Sequence, residues 1–256
     1  MTESALPFID VPCHGERLAL HHERAVHWRA RRTLFVADMH LGKEEVFGRM
    51  GVPIPHGPSV GNLATLARLV GDTGAERLCV LGDFMHAAPT PGERWLAALS
   101  AFLDAHATLD VEVVAGNHDR ASGRSLIDPR VRWIDGSVHE APFVLRHEPG
   151  DDPRGYVLAG HLHPVYRLGG SGRRGASLRA PAFWFRRRGA VLPAFGAFTG
   201  GEAIRPVRGE RVFLAGPDCV VPVHGDEGDG ADESGRDEGR DSAADFPRRP
   251  VRLGRE

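Results

Sequence analysis

The chain has 256 residues, 41% hydrophobic and 26% charged, with a formal net charge of −2, which allows one large domain or two small ones of ordinary globular composition. No stretch reaches the roughly 18 uncharged apolar residues of a membrane span, and Met1 to Pro12 lacks the basic start and apolar run of a secretion signal. The net charge does not by itself suggest a nucleic-acid partner, and the three scattered cysteines, Cys13, Cys79 and Cys219, lack metal-type spacing and point to the cytoplasm.

In chain order, Arg17 to Leu20 and Ala25 to Trp28 read as a hairpin leading into a strand that ends at Ala37. Residues 59–70 read as a helix whose first amides Ser59 can cap, with Leu63, Leu66, Ala67 and Val70 on one face. Residues 91–106 read as a second helix. Thr90-Pro91-Gly92-Glu93 fits a capping box with Pro at the first helical position, and Trp95, Leu96, Leu99, Phe102 and Leu103 form a core-facing stripe. Past Asp119 the chain turns to strands: Val131 to Ile134, Val138 to His147, Tyr156 to Ala159, Ala182 to Arg187 and Ala190 to Ala194. A final hairpin is expected from Val212–Ala215 and Val220–Val223. The expected class is α/β, with helices outside a two-sheet sandwich.

From His224 on, the sequence holds ten acidic and six basic residues and few apolar ones, leaving 24 acidic against 26 basic elsewhere. Such a segment cannot bury a core. Residues 1–223 are therefore expected to form one domain, and 224–256 an acidic, Gly-rich disordered tail. In the near-neutral remainder, Arg173, Arg174, Arg179 and Arg186–Arg188 read equally as a solvated surface or as a phosphate-binding strip.

Five short motifs carry the chemistry, each at the end of an apolar run. They are Asp38-Met39-His40, Gly82-Asp83, Gly116-Asn117-His118-Asp119, His147 and Gly160-His161-Leu162-His163. Short β-branched and aliphatic runs that end in Gly, Asp or Asn read as buried strands entering turns. Open α/β sheets place ligand crevices at that carboxyl edge. The mixture of Asp, Asn and His suits two neighbouring divalent cations.

The order and content of these motifs resemble the calcineurin-like metallophosphoesterase superfamily, over roughly Leu34 to Pro164. That resemblance implies a four-layer αββα fold and a dimetal-dependent phosphodiesterase. It implies that Asp83 bridges two metals, that Asp38, His40 and His163 complete the first, and that Asn117, His147 and His161 complete the second. It makes His118 the general acid. Asp119 can accept a hydrogen bond from that imidazole. A metal-bound water, acting as hydroxide, would attack phosphorus in line. The donor set suits Mn²⁺, with Fe or Zn as alternatives. Lys43, Arg49 and His86 are candidate substrate contacts.

A narrower resemblance rests on Leu41-Gly42-Lys43, on Gly51-Val52-Pro53-Ile54-Pro55-His56-Gly57, and on Leu192 to Gly201. These segments look like the ligase-associated DNA damage response endonucleases, which implies a DNA substrate and an association with a DNA ligase and a helicase. Two other readings compete. One is a phosphodiesterase or pyrophosphatase acting on a small nucleotide or a UDP-sugar lipid precursor. The other is a non-catalytic scaffold on the same fold, which the full ligand set disfavours.

Overall fold

The runs Thr33–Ala37, Leu78–Leu81 and Tyr156–Ala159 are buried at every position. A strand with no solvated face needs a layer on each side, and the architecture follows from that. The computed structural model describes residues 7–52, 57–120, 123–169, 178–197 and 199–225. The loop Pro53–His56, Arg173 and Arg174, Phe198 and the tail from residue 226 lie outside them.

One sheet holds seven strands in chain order. They are β1 (Phe8–Cys13), β2 (Glu16–His21), β3 (Ala25–Trp28), β4 (Thr33–Ala37), β5 (Arg77–Leu81), β6 (Asp110–Val114) and β7 (Val131–Ile134). The first four pair antiparallel, and β4 to β7 pair parallel. Helices α1 (Lys43–Arg49) and α2 (Pro58–Thr73) join β4 to β5, α3 (Arg94–Ala105) joins β5 to β6, and the short α4 (Asn117–Arg120) follows β6. Leu34, Val36, Leu78, Val80, Val111 and Val113 pack with α2 and α3 on one face. Phe35, Ala37, Cys79, Leu81 and Val114 turn to the other face, toward the second sheet.

The second sheet comprises β8 (Ser137–Glu140), β9 (Phe143–Arg146), β10 (Tyr156–Ala159), β11 (Pro164–Leu168), β12 (Leu178–Phe185), β13 (Gly189–Val191), β14 (Glu202–Ala203), β15 (Arg211–Ala215) and β16 (Val220–His224). Its order is β14-β11-β12-β13-β10-β9-β8, with β15 added to β12 and β16 to β15. Strands β9, β10 and β13 run parallel. Phe143, Leu145, Tyr156, Leu158 and Phe183 face the first sheet, where the Phe143 ring meets Trp28 edge-on at 5.0 Å. The result is an α/β sandwich. Every described helix precedes β7, and none is long and apolar enough to cross a membrane.

The structure corrects four local expectations. Ser59 does not cap α2: the N-cap is Gly57, and Ser59 Oγ accepts from Gly42 N and donates to Glu44. Helix α3 begins at Arg94, because Glu93 spends its carboxylate on Arg49 and on Trp95 Nε1 rather than on a capping box. Val138–His147 is a hairpin rather than one strand, broken at Pro142, which has no N–H to give to a ladder. The edge strand β1 was not expected: only its Val11 and Cys13 are buried, so its sequence shows little alternation.

Candidate metal centre

The carboxyl ends of β4, β5, β6, β9 and β10 converge, and each delivers one motif. Sharp reversals do the aiming. Asp38, His40, Asp83, His161 and His163 all have positive φ, between 31° and 71°. Non-glycine residues held there store about 1–3 kcal/mol each, and such positions cluster at functional sites. Two glycines make room. A Cβ on Gly82 would lie 1.7 Å from His147 Nδ1, and one on Gly160 would lie 2.5 Å from Asp38 Oδ2. The glycines of these motifs are thus needed for the close approach of the two sheets. His161 and His163 do not lie on a strand, because the chain leaves β10 at Ala159 and β11 begins at Pro164.

The side chains form two sets, and both Asp38 and Asp83 touch each of them: Asp38 Oδ1 lies 3.5 Å from His147 Nδ1. Asp83 Oδ2 lies 3.8 Å from His40 Nε2, which lies 3.2 Å from His163 Nε2. His163 Nε2 is also 3.6 Å from Asp38 Oδ2. On the other side, Asp83 Oδ1 lies 3.8 Å from His147 Nε2, which meets Asn117 Oδ1 at 2.8 Å and His161 Nδ1 at 2.9 Å. All seven residues named from the sequence meet here. Ring nitrogens and carboxylate oxygens of Asp38, His40 and His163, and of Asp38, Asp83 and His147, lie close enough together to hold a cation. Asp38 Oδ1 is buried with no hydrogen-bond partner, a second mark that the cluster is complete only with cations.

The electrostatics agree. Burial pushes the Asp38 carboxyl well above the usual range, and Asp83 adds to the effect; burial also raises Asp83. Burial, with His163 next, drives His40 down to about 2, and burial with His161 drives His147 down to about 3. Burial lowers His163 too. No Lys or Arg forms an ion pair with Asp38 or Asp83 among the described residues; their partners are imidazoles. Two buried carboxylates among neutral imidazoles are what divalent cations would offset.

His118 lies beside this cluster, its ring 5.1 Å from that of His40. Its Nδ1 donates to the backbone carbonyl of His86 at 2.6 Å, which fixes the ring and leaves Nε2 as the nitrogen that can exchange a proton. That carbonyl takes the orienting role expected of Asp119. The Asp119 carboxylate instead accepts three backbone amides, from Phe84, Met85 and Gly116, and clamps the Asp83 turn to the Asn117 turn. His86 is at the site, its Nδ1 3.4 Å from His40 Nδ1 and its ring stacked on His118. Burial and the nearby Lys43 bring His86 down to about 4.

Lys43 borders a narrow cleft with His40. Arg49 is tied to Glu93 at 2.6 Å and is not turned to the cluster. The arginine strip divides. Arg179 donates to Gly201 O, two residues from Thr199 on the segment that flanks the centre. Arg186–Arg188 form the turn before β13, which pairs with β10 from Val157 to Ala159, so they sit at the end of the sheet opposite His161. Sequence reasoning missed the segment after β13 as a supporting wall. Phe195 N and Gly196 N donate to the carbonyls of Ala37 and Asp38, and Gly200 O receives His163 Nδ1–H, which turns Nε2 toward the cluster. The only signal for it was the segment's part in the narrower resemblance.

Comparison with known proteins points the same way. The family profile of calcineurin-like phosphoesterases matches residues 31–190. Among solved structures, a nuclease, MPE, from Pseudomonas putida is 37% identical with a TM-score of 0.71, covering 84% of this chain and 100% of that one. The phosphoesterase Yfce from E. coli is 13% identical with a TM-score of 0.40, covering 75% and 97% of the two chains. No curated protein matches.

Proposed function

The chain belongs to the calcineurin-like phosphoesterase family and is a metal-dependent phosphoesterase, and from that premise we propose that it hydrolyses phosphodiester bonds of DNA as an endonuclease in DNA repair. The observation that carries the dimetal reading is the pair of buried carboxylates, Asp38 and Asp83, each of which faces both histidine sets; the resemblance makes Asp83 the bridge. Similarity over the full length of a nuclease supports a nucleic-acid substrate.

In this reading Asp38, His40, His163 and Asp83 would hold one cation, and Asn117, His147, His161 and Asp83 would hold the other. When bound, two divalent cations, Mn²⁺ by the mixed oxygen and nitrogen donors with Fe or Zn as alternatives, activate water and offset charge on the phosphate. His118 carries a proton at Nε2 for the leaving oxygen, its other nitrogen anchored on His86 O. Lys43 meets a non-bridging phosphate oxygen, and the His86 ring faces the substrate side. Asp119 acts through the backbone, keeping the turns of Asp83 and Asn117 in register. The protein works in the cytoplasm, in keeping with three free cysteines, in association with a DNA ligase and a helicase as the narrower resemblance implies.

The direct test is incubation of the Mn²⁺-loaded protein with circular plasmid and single-stranded circular DNA. Cutting of circles, lost in His118→Ala, is expected. Turnover of a nitrophenyl phosphodiester without any cutting of DNA would sink the nuclease reading.

A further inference from the structure

Two concavities share a wall at Asn62, and the first of them opens beside the metal centre. The first is the narrow cleft that begins at His40 and Lys43 and is bounded by Asn62 of α2 and by Ala197. The second, of about 360 Å³, lies between Asn62 and Thr65 of α2, Phe195 and the turn His22–Arg24. Asn62 lines both, and Phe195 and Ala197 belong to the one segment whose amides bond Ala37 and Asp38. They lie side by side, the first of only about 10 Å³, with Asn62 of α2 between them and residues 195–197 along the facing side.

Three groups along them lack the partners their chemistry calls for. Asn62 is only 9% exposed, yet its side chain makes no hydrogen bond among the described residues. Its amide atoms open to the two concavities it lines, where they are free to hydrogen-bond what enters. Arg24 is half-buried and reaches only the carbonyl of Gly196, at 3.3 Å. Its neighbour Glu23 pairs directly with Arg68 and gives Arg24 only a longer-range attraction. At the other end, Glu44 is occupied by Ser59 and does not pair with Lys43. Two cations without a direct ion pair, Arg24 and Lys43, with the Asn62 amide between them suit a ligand with repeated anionic groups and polar groups between.

We infer that the two concavities form a groove that binds the nucleotide adjoining the scissile phosphate, Arg24 taking the next phosphate and Asn62 hydrogen-bonding the nucleoside between. The inference rests on the nuclease reading and names residues that reading does not need. Pro181 and Phe195 give the larger compartment apolar walls, as a sugar or base would require.

The test uses the full-length, Mn²⁺-loaded protein with Arg24→Gln, Asn62→Asp and Asn62→Ala. Each is assayed on a short single-stranded oligodeoxynucleotide and on bis(p-nitrophenyl) phosphate. Asn62→Ala should raise the oligonucleotide KM by about two- to tenfold, the worth of one hydrogen bond, and Asn62→Asp should raise it more by repelling phosphate. Arg24→Gln should flatten the dependence of log KM on log salt by about 0.7, one phosphate contact on a single strand. The small diester, too short to enter the groove, should be turned over as by the wild type. Wild-type KM and salt slope on the oligonucleotide in all three variants would overturn the groove and leave the nuclease reading standing. An equal loss on both substrates would also overturn it, since the variants would then act through the metal centre. A wild-type protein that cleaves only the small diester would remove the nuclease reading, and this inference with it.

Discussion

The two ends of the first sheet handle buried charge in opposite ways. At the first residue of β5, Arg77 lies between two glutamates, 2.5 Å from Glu112 and 2.5 Å from Glu140 of the second sheet, and Arg132 closes on Glu112 from β7. Each carboxylate there faces a guanidinium from the same chain. At the carboxyl end, Asp38 and Asp83 have no guanidinium or ammonium partner among the described residues: each accepts one backbone amide, from His161 and His118, and otherwise meets imidazoles, of which burial keeps His40 and His147 neutral. The first cluster is complete and ties the sheets together. The second is complete only when cations arrive. Paired charge and unpaired charge, a few strand residues apart, separate what holds the fold from what does the chemistry.

The comparison breaks most visibly at Asp83. Asp83→Ala should lose both cations on dialysis and nearly all turnover of a nitrophenyl phosphodiester, whereas His163→Ala should weaken mainly one site. Metal analysis with turnover checks both, and full activity in Asp83→Ala would contradict the shared-ligand reading. His118→Ala should keep both metals and lose roughly 10²–10⁴ in rate. The loss should shrink for a nitrophenolate leaving group, which needs no proton; equal losses on good and poor leaving groups would make His118 a binding residue.

At the paired end, Glu112→Ala should leave metal content and turnover intact and destabilise the fold. Breaking a buried pair costs about 3–5 kcal/mol, and the lower figure is expected because Arg132 is 59% exposed and solvent screens it. A denaturant titration measures this; lost metal in that variant would show that the two clusters are coupled.

A smaller effect separates the clusters by pH. Asp38 has its folded pKa raised, so its contribution to the stability of metal-free protein is present below the unfolded value of 3.8 and is lost as pH rises through the folded one. Metal-free Asp38→Asn should therefore melt higher than metal-free wild type by a margin that grows as pH rises. Added Mn²⁺ should reverse the order. A margin independent of pH would show that Asp38 is not an uncompensated charge.

Much of this was legible in the sequence because both ends write themselves as pattern. Continuous apolar runs such as Leu78–Leu81 announce strands covered on both faces, and motif residues just past them must lie on the carboxyl edge. What escaped depends on tertiary partners. Ser59 and Glu93 have capping chemistry, but Glu44 and Arg49 claim them. Asp119 follows His118 in sequence, yet three backbone amides take its carboxylate, and a main-chain carbonyl of His86, which no residue identity encodes, holds the imidazole. The arginines read as one strip because they are near in sequence, but the antiparallel course of β12 carries Arg179 and Arg186–Arg188 to opposite ends.

The central claim is that two cations sit across Asp83. Electron paramagnetic resonance of metal-free protein titrated with Mn²⁺ tests it most directly. The account predicts uptake of two Mn²⁺ per chain, with the multiline spectrum of a spin-coupled pair that disappears in Asp83→Ala. A single uncoupled Mn²⁺ per chain, or a coupled spectrum that survives in Asp83→Ala, would contradict it.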